Sequence, residues 1–98
     1  MDSQPADHSA LENIVEALIF AANESLSADA ILRTVEAVDP EQSERLGEVS
    51  VETIVERLNE RYEATGRSFR IHQWAQGFRM ATIPDLSEYL EAMFSDER

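Results

Sequence analysis

Residues 66–82, GRSFRIHQWAQGFRMAT, constrain the fold of this chain more than any other stretch. Phe69 to Trp74 alternates in polarity, Gln76 and Gly77 have turn chemistry, and Phe78 to Thr82 resumes the alternation. The pattern predicts a two-stranded hairpin. A two-residue turn at Gln76 and Gly77 pairs Ala75 with Phe78 and gathers Phe69, Ile71, Phe78 and Met80 on one face. Trp74 and Arg79 then share the opposite face. A three-residue turn bulged at Gly77 pairs Trp74 with Phe78 instead. The first register is preferred, because a one-residue slip exposes Phe69 and Ile71 opposite the buried pair.

Three helical segments precede this hairpin and one follows it. Ser9 and Glu12 have capping-box spacing. Leu11, Ile14, Val15, Leu18 and Ala22 then form a stripe that should stop near Asn23. Ala17, Phe20 and Ala21 widen the apolar arc beyond one core contact, as in a helix shared between a core and a partner. Ser27 and Asp29 suit the start of a second helix, with Ala28, Ile31, Leu32, Val35 and Val38 at helical spacing. Asp39-Pro40 ends it. Residues 39–49 read as a polar connector, anchored by Leu46 and holding at most a short helical turn.

Ser50 opens the clearest helix, with Val51, Ile54, Val55, Leu58 and Tyr62 on one face and Gly66 as a left-handed cap. Its other face places like charges four apart, at Glu52 and Glu56, Glu56 and Glu60, and Arg57 and Arg61, so internal ion pairs add little. Pro84 and Asp85 suit the first turn of a last helix striped by Leu86, Tyr89, Leu90 and Met93, with Phe94 alongside. The fold class is therefore mainly α with a small β-hairpin. Three helices, a two-stranded wing and a C-terminal helix make a winged helix-turn-helix over residues 9–94, with flexible tails at 1–8 and 95–98.

Charge narrows the function. Twenty acids stand against eight arginines, a net of −12. Residues 64–84 run the other way, with three arginines and no acid, whereas residues 85–98 hold five acids and one arginine. Such a surface repels phosphate. A winged helix by default reads DNA with its third helix, but here that helix exposes four glutamates and two arginines. Arg67, Arg70 and Arg79 leave the wing as the one place where phosphate contact stays open. Direct DNA binding by this domain is therefore not expected.

Catalytic constellations are not found. His8 falls in the tail and His72 in a strand, neither with a nucleophile and an orienting group beside it. Glycines 47, 66 and 77 lack phosphate-loop spacing, and the absence of cysteine removes disulfides, thiolate chemistry and Cys-based zinc sites. The reading is no enzyme, no cofactor and no metal site. With no apolar run of ~18 residues and no signal-peptide order, the chain reads as cytoplasmic with no membrane association.

Two blocks carry a family resemblance: IVEALIFAANESLS at residues 14–27, and GRSFRIHQWAQGFRMATIPDLSEYL at residues 66–90. The first resembles the opening helix and loop of the N-terminal winged-helix domain of the segregation and condensation protein B family. The second resembles that family's Gly-x-x-Phe strand, Gly-aromatic-Arg turn and Pro-x-x-x-x-Tyr helix. Gly66, Phe69, Gly77, Phe78 and Arg79 carry the signature. Asn23, Ser25 and Gln76 depart from the glycine, proline and glycine usual in the family, and residues 36–49 match nothing in it. The resemblance implies a second winged helix beyond this chain. It also implies a non-enzymatic subunit of the bacterial condensin, in which a homodimer embraces the kleisin subunit that closes the SMC ATPase ring. The role implied is chromosome condensation and segregation, at the nucleoid through the complex. Phe20, Trp74, Phe78, Tyr89 and Phe94 are the candidates for protein interfaces. The competing readings are a winged-helix DNA-binding transcription regulator and a peptide-binding winged helix of another complex.

Overall fold

A computed structural model describes residues 9–95; the tail positions 1–8, His8 among them, and 96–98 lie outside the described residues. The order is α1 (Ser9–Ala21), β1 (Leu26–Ser27), α2 (Ala28–Val38), α3 (Pro40–Val49), α4 (Val51–Ala64), β2 (Phe69–Trp74), β3 (Gly77–Thr82), a 3-10 turn (Pro84–Leu86) and α5 (Ser87–Ser95). This is the winged-helix plan, with α3 inserted between the second helix and the helix in the recognition position.

The core is built where the helical stripes meet the inner face of the sheet. Val51, Ile54, Val55, Leu58 and Tyr62 of α4 are all buried, as their spacing requires. In α1 the central row is Leu11, Val15 and Ile19, with Ile14 and Leu18 packed at its edge. Ile19 was not placed in the stripe by spacing, because the helix is rotated so that this i, i+4 row faces α4. Ile31 and Val35 of α2, Leu46 of α3, and Ile71 and Phe78 of the hairpin complete it. Each such aliphatic contributes roughly 1.5–3 kcal/mol before entropy.

Local chemistry sets the helix ends. Ser27 Oγ accepts from the Ala30 N–H at 3.0 Å, and Ser50 Oγ accepts from the Thr53 N–H at 3.0 Å. At the other end of α4, Gly66 takes φ +69°. The Arg67 N–H reaches the Tyr62 carbonyl at 2.8 Å and the Gly66 N–H reaches Glu63 at 3.2 Å. These are the two bonds of a Schellman cap.

Three expectations are corrected. The connector at 39–49 is a ten-residue helix, α3. Asp39 caps it, accepting from the Gln42 N–H at 3.3 Å, Pro40 sits in its first turn, and Ser43 Oγ donates to the Leu32 carbonyl of α2 at 3.3 Å. Leu46 is its one buried side chain, too few for a periodic signal. The sheet also has three strands, ordered β1-β3-β2, because Leu26 and Ser27 pair with Phe78 and Gly77. A strand of two residues has no alternation to read.

The third correction concerns the turn. It lies at Ala75 and Gln76, with Trp74 opposite Gly77 and Gln73 opposite Phe78. Ala75 takes the positive φ, +50°. Gly77 is used as a strand residue beside β1, where a Cβ would fall 2.7 Å from Ser25 Cβ and 3.2 Å from the Leu26 nitrogen. The expected faces are unchanged, since both registers put Phe69, Ile71, Phe78 and Met80 on one side.

Candidate protein-interaction surfaces

The five interface candidates separate in space. Phe78 is 2% exposed between Leu26 and Gln73, so it belongs to the core and not to a surface. The alternation of the hairpin already sets it on the inner face with Phe69, Ile71 and Met80, and in the structure that face meets the core. The other four are open: Phe20 is 76% exposed, Tyr89 75%, Phe94 62% and Trp74 52%.

Phe20 stands on the last turn of α1, past the final core residue Ile19. With Phe69, Met80, Ala81 and Thr82 it lines an apolar groove of about 240 Å³ between α1 and the hairpin. Phe69 is held in place from beneath by Tyr62, edge to face with ring centroids 4.8 Å apart. Tyr62 is fixed in turn by donating to Glu16 of α1 at 2.6 Å. Burial and the Glu16 carboxylate both push the Tyr62 phenol well above its ordinary range. Arg61, the neighbouring residue, bridges to Glu12 at 3.0 Å. Glu12, placed in a capping box by its spacing, thus has a tertiary role in tying α1 to α4.

Trp74 lies at the tip of the hairpin, stacked on His72 at 5.8 Å with ring planes 18° apart. It adjoins a shallow hollow of about 280 Å³ between β1 and the turn. Arg79 is paired across from His72 on the same outer face. A third hollow of about 150 Å³ lies between α1 and α2, lined by Ile14, Leu18 and the exposed Val38. Val38 continues the α2 spacing beyond Val35, the last buried residue of that helix.

Tyr89 and Phe94 belong to α5, which buries none of its side chains. Met93, on the same helix, is 50% exposed. The stripe predicted for this helix exists, but no core lies beneath it. On α4, in the recognition position, Glu52, Glu56, Glu60 and Glu63 are all exposed, so the surface that would face a DNA groove is acidic. Among the described residues no set of three or more His, Cys, Asp or Glu is grouped to hold a metal ion, and no helix is long and apolar enough to cross a membrane.

Residues 13–98 match the family described as segregation and condensation complex subunit ScpB. The chain belongs to the ScpB family. It is similar to segregation and condensation protein B of Carboxydothermus hydrogenoformans, with 34% identity over 84 residues, covering 86% of this chain and 40% of that protein. A conserved hypothetical protein from Chlorobium tepidum superposes with a TM-score of 0.72 at 30% identity, over 88% of this chain and 49% of the other. ScpB from Mycobacterium tuberculosis shares the fold at TM-score 0.66 and 18% identity, over 95% of this chain and 52% of its own. A ScpB N-terminal domain, solved as a dimer complexed with a ScpA peptide, matches at TM-score 0.65 and 24% identity, over 90% of this chain and 92% of its own. The chain thus spans about two fifths of the ScpB relative from Carboxydothermus, and nearly the whole of the isolated N-terminal domain.

Proposed function

We propose that this chain acts as a non-enzymatic subunit of the bacterial SMC–kleisin condensin, in chromosome condensation and segregation, by homodimerising and binding the kleisin subunit. One observation carries the reading: the family match runs over residues 13–98, and a matching ScpB N-terminal domain was solved as a dimer with a ScpA peptide. The surface supports it. Phe20, Trp74, Tyr89 and Phe94 stand in solvent on a small domain, and large exposed aromatics are what protein interfaces use. The acidic exposed face of α4 weighs against nucleic acid as the partner. Its place in the cell is then at the nucleoid, held there through kleisin and the SMC ATPase.

Co-purification with the kleisin and SMC subunits of the same organism tests the reading directly. The expected result is a stable complex with kleisin and a dimer by light scattering at micromolar concentration. A strict monomer with no kleisin affinity overturns it. A steeply salt-dependent shift of duplex DNA by the domain alone would favour the transcription-regulator reading instead.

A further inference from the structure

Helix α5 is an amphipathic helix without a core. Tyr89, Met93 and Phe94 are half or more exposed, and no residue of Ser87–Ser95 is buried. The described chain extends 54 Å along its longest axis, with a radius of gyration of 15.7 Å. A compact chain of this length would show about 13 Å. The Pro84–Leu86 turn leads into a helix whose side chains the rest of the described chain leaves unburied.

The groove formed by Phe20, Phe69 and Met80 is the complementary feature: apolar, open, and ended by Thr82 just before that turn. We propose that α5 is a dimerisation arm, whose Tyr89, Met93 and Phe94 pack into the Phe20–Phe69–Met80 groove of a second copy of this chain. The inference rests on the homodimer reading and names the element that makes the dimer.

Three relationships select a second copy as the occupant. The groove ends at Thr82 and the turn into α5 begins at Pro84, so groove and arm adjoin, and a two-fold pairing would exchange them reciprocally. That is an isologous contact, which closes at two copies. The charges complement: Asp85, Glu88 and Glu91 flank the helix stripe, whereas Arg67 stands exposed two residues before Phe69 on a segment with no acid. Finally, the exposed aromatics supply about half of the area that a specific interface needs. At their present exposure Phe20, Tyr89 and Phe94 from two copies supply roughly 600–1,000 Å² of the ~1,200–2,000 Å² that a specific interface buries. Met93, the groove walls and the exposed Ala17 and Ala21 lie alongside to extend it.

The chain has no cysteine, so cross-linking gives a clean test. One preparation carries Phe20→Cys and the other Met93→Cys. Mixed and oxidised, they are expected to give a disulfide-linked dimer well above either alone. Met93→Asp combined with Phe94→Asp is expected to raise the dimer dissociation constant at least about 100-fold, with the helical circular dichroism retained. A dimeric wild type that gives no mixed cross-link, and stays dimeric with both aspartates, overturns the arm and leaves the homodimer reading standing. An intramolecular Phe20→Cys/Met93→Cys bond in monomers also overturns it, because α5 then fills its own groove. A monomeric wild type overturns both readings together.

Discussion

The side-chain amide of Asn59 pairs with the backbone of Ile71 in both directions, accepting from its N–H at 2.8 Å and donating to its carbonyl at 2.9 Å. Strand β2 is an edge of the sheet, and at Ile71 its outward backbone groups have no neighbouring strand. Asn59 of α4 supplies what that strand would have supplied, and so ties the wing to the helix. Asn59→Ala is expected to cost about 1–3 kcal/mol in urea unfolding. Asn59→Asp at pH 7 should cost at least as much, because it keeps an acceptor but sets a charge against the Ile71 carbonyl.

The Tyr62–Glu16 bond predicts an alkaline limit to stability. A phenol whose pKa is raised on folding contributes stability that is fully present below its unfolded value, near 10, and is lost as pH rises toward the folded value. The folded state holds the proton there and the unfolded state does not. Unfolding free energy should therefore fall more steeply above about pH 10 in the wild type than in Tyr62→Phe. Equal slopes would show that Tyr62 is not the group responsible.

Ser50 combines a helix cap with a backbone at φ +92° and ψ 144°, a region natural to glycine. Its hydroxyl also donates to Thr53 Oγ1 at 2.9 Å. Ser50→Ala keeps the strain and loses the cap, for a cost of about 0.5–2 kcal/mol. Ser50→Gly loses the cap at a cost of only a few tenths and relieves about 1–3 kcal/mol of strain, so it is expected to stabilise. Thermal melts of the two variants should move in opposite directions.

Gly77 is a packing glycine. Gly77→Ala places a methyl 2.7 Å from Ser25 Cβ, and overpacking of this kind costs about 1–3 kcal/mol. Ser25→Gly removes that atom and should recover part of the loss. A double-mutant cycle measures the coupling, and strictly additive effects would rule out this contact as the cause.

The sequence by itself determined the stripe of α4, most of the stripes of α1 and α2 (Ile19 and Val38 apart), the caps at Ser27, Ser50 and Gly66, and the inner face of the hairpin. These are local properties, written in spacing and in side chains that bond their own backbone. It also determined the segregation of charge that leaves 64–84 without an acid. Tertiary structure decided the rest. Helix α3 is defined by caps and by one buried leucine, and β1 by two residues with no period. The hairpin turn sits one position early because β3 needed its glycine to pass β1, a contact made across more than fifty residues of chain. The same limit separates Phe78, on a strand, from Phe94, on the last helix. Periodicity shows which side chains an element can bury, but burial needs a second surface. Phe78 meets one within its own chain, whereas Phe94 stands on a helix that this chain leaves uncovered.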